Sequence, residues 1–387
     1  MFNIRLLNTI APIGLKKLAE SRYRVSETVE NPDGILLRSF KMHDMPIPAS
    51  LQVVGRAGAG TNNIPVDKLT KLGIPVLNTP GANANAVKEL VLAGMLLSAR
   101  NLCSAWSYTN GLSLAGDALN SEIEAAKKQF VGFELPGKTL GIIGLGAIGV
   151  KLANAALALG MNVTGYDPAI SLKRAWELSS GVKQALSLND LLSQSDFVSI
   201  NVPFVEATRH LIGAAQFAAM KKGAILLNFA RQEIVDKVAL LKALDELRLR
   251  FYVCDFPSET FRGYSNVIAL PHVGASTLEA EENCALMITQ QVDEYLQQGN
   301  IINSVNFPEV VMPRSGAQRL AIVNENIPNM LGQISTVLAS ANLNIVDMLN
   351  KSQKDIAYTL IDLTTKADQA VLAAIRAIKG VVRVREV

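Results

Sequence analysis

Residues 141–149 read Gly-Ile-Ile-Gly-Leu-Gly-Ala-Ile-Gly, which sets Gly144, Gly146 and Gly149 in the spacing G-x-G-x-x-G. The motif follows the apolar run Thr139 to Ile143 and opens a helical stretch through Ala158, the strand-to-helix context that gives it meaning. Gly144 permits a tight turn, Gly146 lets the backbone approach a pyrophosphate, and Gly149 lets the helix pack on the strand; the helix N-terminus offers amide donors to the anion. Asp167 closes the next strand, 23 positions after Gly144. A carboxylate there accepts hydrogen bonds from the adenosine ribose and repels a 2′-phosphate, so the cofactor expected is NAD rather than NADP.

Hydride chemistry on an alcohol or carbonyl needs a general acid–base, and the chain has three histidines. His43 lies in the loop KMHDMPIP and His210 in the helical stretch TRHLIG, where a surface or packing role fits better. His272 comes directly after the strand VIALP, at the strand end where open α/β sheets bind their ligands. Arg231 follows the apolar run AILLNFA in the same manner, and its guanidinium can grip a carboxylate with two parallel hydrogen bonds. Glu259 could pair with His272 and raise its pKa, although spacing alone reads equally well as a solvated loop carboxylate. Cys103, Cys254 and Cys284 lie too far apart for a zinc pattern or a disulfide framework, so no metal is expected and a reducing cytoplasm fits.

These residues need a scaffold of parallel strands. Gly34 to Leu37, Leu51 to Val54 and Ile74 to Leu77 read as strands, with helical stretches at Leu15 to Arg22 and Val87 to Arg100. Six further strands are expected at Thr139 to Ile143, Asn162 to Tyr166, Phe197 to Asn201, Ala224 to Asn228, Arg250 to Cys254 and Val267 to Leu270, the count of a doubly wound nucleotide-binding sheet. Asn303 to Gln318, with two prolines and a glycine, reads as a linker. After it comes the order strand, helix, strand, strand, helix, strand (Leu320 to Val323, Pro328 to Ala341, Asn344 to Asn350, Asp355 to Thr365, Ala367 to Ile378, Val381 to Val387), a ferredoxin-like βαββαβ domain.

The 387 residues allow two or three domains, with 49% hydrophobic and 18% charged residues. A net charge of +3 gives no field suited to nucleic acid or a membrane surface. The longest apolar stretches, such as Leu90 to Leu97, fall short of a membrane span, and no secretory signal is expected at the N-terminus.

Five segments in order resemble the signatures of the D-isomer-specific 2-hydroxyacid dehydrogenases: VVGRAGAGTNNIPV from Val53, NTPGANANAVKEL from Asn78, FVGFELPGKTLGIIGLGAIG from Phe130, NFARQEIVD from Asn228 and LPHVGASTLEAEENC from Leu270. The resemblance implies a Rossmann-type domain (101–273) inserted in a flavodoxin-like α/β substrate domain (1–100 and 274–303), a linker (304–318) and a regulatory domain (319–387), with the active site in the cleft between the first two. It implies a catalytic set of His272 as acid/base, Glu259 orienting it, and Arg231 holding the substrate carboxylate. Along the cofactor it places Ala147, Ile148, Val202, Phe229, Ala230, Asp255, Gly274 and Ala275 besides the glycines and Asp167. On the substrate it places Arg38, Arg56, Gly58 and Asn83, with Arg38 as the phosphate partner.

Within the family the resemblance points to members that oxidise 3-phospho-D-glycerate to 3-phosphohydroxypyruvate with NAD, the first step of L-serine synthesis, as homodimers or tetramers. Alternatives are a hydroxypyruvate or glyoxylate reductase and a catalytically inactive NAD sensor. Three features depart from the family pattern: Gln232 after Arg231 in place of glycine, a run from Asp255 to Glu259 one residue short, and a weak match over residues 101–129. The tail resembles an ACT domain, an amino-acid-sensing module. Its run VNENIPNMLGQI puts Asn329 in a glycine position and Asn324 where histidine is common, and Asn326 and Asn344 match effector-binding asparagines, which implies L-serine as effector.

Overall fold

Runs of Val, Ile and Leu between polar stretches become the inner strands of two parallel sheets, each covered on both faces, as such sheets require. The computed structural model describes all 387 residues, which group into one unit of residues 1–83 with 278–387 and a second of residues 84–277.

In the first unit β1 (Phe2–Leu6), β2 (Tyr23–Ser26), β3 (Gly34–Leu37), β4 (Val53–Arg56) and β5 (Val76–Leu77) form a parallel sheet of order β2-β1-β3-β4-β5, the flavodoxin-like arrangement. In the second, β6 (Thr139–Ile143), β7 (Asn162–Tyr166), β8 (Lys183–Gln184), β9 (Phe197–Ile200), β10 (Ala224–Asn228), β11 (Leu249–Cys254) and β12 (Val267–Ala269) pair in the order β12-β11-β10-β9-β6-β7-β8. That is the doubly wound order, with one short strand, β8, beyond the six expected. Back in the first unit, β13 (Gln318–Glu325), β14 (Ile345–Gln353), β15 (Ile356–Leu363) and β16 (Val381–Glu386) make an antiparallel sheet of order β14-β15-β13-β16.

Several boundaries differ from the sequence reading. The helix Ala84–Ala99 belongs with the nucleotide sheet: Val87, Val91, Met95 and Ala99 join its core, moving the boundary from residue 100 to 83. The first helix is short, Pro12–Leu15, because few apolar side chains follow it and only Leu18 among them is buried. Residues 304–318 are not a free linker, since Phe307, Val310 and Met312 are buried. Nor does the small sheet stand apart. Leu320 and Ile322 face the helices Met330–Ser340 and Gln369–Ala377, while Ala321, Val323, Tyr358 and Leu360 share a core with Ile288, Val292 and Tyr295 of the helix Leu278–Gln298. Each such buried side chain contributes on the order of 2 kcal/mol.

A buried charge closes this junction. Arg319 spends all five N–H groups: Nε and Nη2 on the two Asp362 oxygens (2.6 and 2.8 Å), and the others on the carbonyls of Gln298, Met312 and Pro313. Burial pushes the Asp362 carboxyl up, but the Arg319 hydrogen bonds and the Ser315 amide more than reverse this, leaving it below the usual carboxylate range. Arg385 lies over the Tyr295 ring, 4.4 Å from its centroid, and Tyr358 donates to the Gly299 carbonyl.

Candidate active site

All strands of the second unit's sheet run parallel, so their carboxyl ends share one edge. The glycine loop follows β6, Asp167 follows β7, Val202 follows β9, Phe229 to Arg231 follow β10, Asp255 follows β11 and His272 follows β12. From β6 the order turns to β7 on one side and β9 on the other, the switch point where open α/β sheets form a crevice.

The three glycines of the loop differ in conformation and in the space around them. Gly144 has φ +92°, and a Cβ there would stand 2.8 Å from the Asn201 carbonyl oxygen. A Cβ at Gly149 would run into the Gly144 carbonyl. At Gly146 a Cβ would meet nothing within 4 Å, and the helix Ala147–Ala158 that starts there has no side-chain cap. Open space and uncapped first-turn amides, including those of Ala147 and Ile148, are what a pyrophosphate needs. Asp167 accepts from the Leu145 and Ala169 amides, one per oxygen, which leaves each oxygen acceptor capacity for a ribose hydroxyl.

Sequence reasoning missed the residue that shapes the Arg231 turn. Asn228 is fully buried; its amide donates to the Arg231 carbonyl (2.9 Å) and its Oδ1 accepts from the Ala230 amide (3.2 Å). An asparagine closing an otherwise apolar strand was the available signal. The Arg231 side chain is exposed and makes one hydrogen bond, Nη1 to the Ala230 carbonyl, so its other donors can take a ligand carboxylate.

His272 is exposed and sits at φ +57°, a left-handed conformation that costs a residue with a side chain roughly 1–2 kcal/mol. Asp255 holds it there. Its carboxylate, 2% exposed, accepts from the amides of Val273 (2.8 Å) and Gly274 (2.7 Å), and a Cβ at Gly274 would crowd it at 3.0 Å. Phe256 meets the imidazole edge-on, 5.4 Å between centroids. The expected pairing of Glu259 with His272 is not formed: Ser258 caps a 3-10 turn that begins at Glu259 and leaves that carboxylate exposed, without hydrogen bond or ion pair. Ala275 is half-buried on the same loop.

In the first unit Arg38 follows β3 and Arg56 ends β4. Arg56 Nε donates to the Arg38 carbonyl (3.1 Å), and the Arg56 guanidinium lies across Gly58, where a Cβ would stand 2.5 Å from Nη1. The Arg38 guanidinium pairs with Glu281 at 2.6 Å. Asn83 is half-buried. Burial pushes up the nearby Cys284 thiol, an effect that the charges of Arg38 and Arg56 reduce.

The asparagines of the small sheet do not converge. Asn324 and Asn326 lie at its Ala357 end and Asn344 at its Leu363 end; the six residue steps from Ala357 to Leu363 span about 20 Å. Asn324 is buried with its Oδ1 unpartnered, and Asn326 donates to the Lys354 carbonyl. Asn329 has φ +64°, which explains how it replaces glycine.

A glycine-loop dinucleotide site sharing a sheet edge with an exposed histidine and arginine defines an NAD-dependent dehydrogenase. The family described as D-isomer specific 2-hydroxyacid dehydrogenase, NAD binding domain, matches residues 93–274. D-3-phosphoglycerate dehydrogenase of Haemophilus influenzae is 36% identical over 350 residues, covering 87% of this chain and 81% of that protein. Among solved structures, a glyoxylate reductase from Paecilomyes thermophila is 25% identical with a TM-score of 0.64, covering 79% of this chain and 98% of the other. The NAD+-bound 3-phosphoglycerate dehydrogenase of Entamoeba histolytica shares the fold at 24% identity and a TM-score of 0.59, with the same coverage of 79% and 98%. The chain belongs to the D-isomer-specific 2-hydroxyacid dehydrogenases, and its cofactor is NAD.

Proposed function

We propose that the protein oxidises 3-phospho-D-glycerate to 3-phosphohydroxypyruvate, the entry to L-serine synthesis, in the cytoplasm. The observation that carries the substrate is the cation pair Arg38 and Arg56 at the ends of β3 and β4, joined through the Arg38 carbonyl. Neutral His272 takes the C2 hydroxyl proton, and the Asp255 and Phe256 contacts keep its ring at the strand end throughout. Arg231 grips the carboxylate, which fixes C2 and lowers the entropic barrier. Bound NAD supplies the acceptor for the hydride leaving C2. In reverse, protonated His272 donates to the ketone oxygen. Glu259→Gln decides whether that carboxylate belongs to the set: an unchanged pH profile removes it.

Free thiols at all three cysteines fit a reducing compartment, and no helix is long and apolar enough to cross a membrane. We read the protein as a homo-oligomer. The helix Leu102–Asn110 buries no residue, and Trp106, Leu114, Ile123 and Val131 are exposed. Serine regulation also calls for a second copy, since one chain holds Asn326 and Asn344 apart; antiparallel pairing of two β14 edges would bring Asn344 of one copy toward Lys354 of the other.

The test is NADH consumption with 3-phosphohydroxypyruvate beside hydroxypyruvate, glyoxylate and pyruvate, each with and without serine. Preference for the phosphorylated acid is expected. Preference for an unphosphorylated acid would support a reductase instead, a reading favoured by the Arg38 pairing with Glu281; no turnover would leave an NAD sensor.

A further inference from the structure

The Arg38–Glu281 pair introduces a competitor into the subsite assigned to phosphate. Arg38 Nη1 and Glu281 Oε1 lie 2.6 Å apart, with the two side chains 39% and 41% exposed. Glu281 stands in the first turn of the helix Leu278–Gln298, where the helix dipole also favours negative charge. The carboxylate is therefore favoured by the same features that would attract a phosphate: a guanidinium beside it and the positive end of a helix dipole. A phosphate dianion arriving at Arg38 meets Glu281 as a like charge and must displace it.

The pair also changes what an unphosphorylated acid encounters. A site built to bind a charged group rejects analogues lacking it because the site's own polar group is then left unpaired. Glu281 removes that penalty at Arg38 by supplying an internal anion. We propose that Glu281 is a specificity-determining residue, an internal counter-anion that neutralises Arg38 and so narrows the enzyme's preference between phosphorylated and unphosphorylated 2-oxo acids. This inference rests on the reading that Arg38 receives the substrate phosphate. The enzyme then accepts both 3-phosphohydroxypyruvate and hydroxypyruvate, and the balance between them is set at residue 281.

The experiment compares kcat and KM for these two acids, with NADH, in the wild type, Glu281→Gln, Arg38→Gln and the double variant. In Glu281→Gln the ratio of kcat/KM values, phosphorylated over unphosphorylated, should rise about tenfold, mostly through KM for the phosphorylated acid. In the Arg38→Gln background the same change should leave the ratio within about twofold, because the guanidinium over which the anions compete is gone. The gain in Glu281→Gln should shrink as salt rises from about 0.01 to 0.15 M.

A ratio that stays constant or falls in Glu281→Gln overturns the proposal and makes Glu281 a residue that positions Arg38. A tenfold rise that persists without Arg38 overturns it as well. Failure of the substrate reading looks different. A wild type that prefers hydroxypyruvate, with Glu281→Gln shifting toward the phosphorylated acid, would refute that reading while supporting the competitor role. If neither protein turns over the phosphorylated acid, both fall. Equal NADH affinity and melting temperature across the four proteins show that each is folded.

Discussion

Asp255 and Asp362 are both buried carboxylates, and they hold opposite kinds of structure. Asp255 accepts only two neutral backbone amides, and what it fixes is a loop whose histidine stays exposed in a left-handed conformation. Asp362 accepts a bidentate arginine together with the Ser315 amide and hydroxyl, and what it fixes is sealed from water. An exposed side chain can be positioned without being consumed by its support, and at His272 neutral donors and an edge-on ring do this. A joint between sheets can use full charges, provided every donor is matched.

The contrast can be broken in order of expected effect. His272→Asn should cut kcat about 10²- to 10⁴-fold with NADH affinity unchanged; an equal loss of both in steady-state kinetics and fluorescence titration would make the histidine structural. Asp362→Asn, which leaves Arg319 buried and unpaired, should cost about 3–5 kcal/mol in denaturant unfolding of the first unit, and a change under 1 kcal/mol would remove the joint's claimed role. Asp255→Asn should lower kcat by about tenfold with a smaller loss of stability, roughly 1–3 kcal/mol, since it frees the loop rather than the fold.

The smallest effect is on pH. The Asp362 carboxyl lies lower folded than unfolded, so its stabilisation is complete above the unfolded value of about 3.9 and is lost as pH falls through the lower folded one. Acid titration of stability below about pH 4 should therefore be shallower in Asp362→Asn than in the wild type. Identical slopes would contradict the depressed carboxyl.

The same contrast separates what was legible in the sequence from what was not. Gly144, Gly146 and Gly149 could be read because each answers a local backbone demand fixed by spacing, and β6, β7 and β10 fell where their apolar runs end. Arg231 and His272 could be placed at strand ends for the same reason. The supports could not. Asn228 and Asp255 act through hydrogen bonds that close only when the chain is folded, and Arg319 finds Asp362 43 residues away in sequence. Glu259 shows the opposite error: a carboxylate at suitable spacing whose 3-10 turn leaves it exposed and unpaired. The small sheet's second face was hidden because continuous burial along β13 and β15 reads from sequence only as a strong strand.

The way the first unit closes has a consequence for how the protein is made. The second unit is one uninterrupted stretch, residues 84–277, and can condense as it leaves the ribosome. The first unit is finished only by β16, whose Arg383 donates to the Leu51 carbonyl across 332 positions of sequence, and by the Val387 amide bonding the Arg319 carbonyl. Until β16 emerges, β13 lacks one of its two neighbouring strands. During synthesis β1 to β5 must wait, part-built and sticky, while a nucleotide domain made later in the chain has already folded.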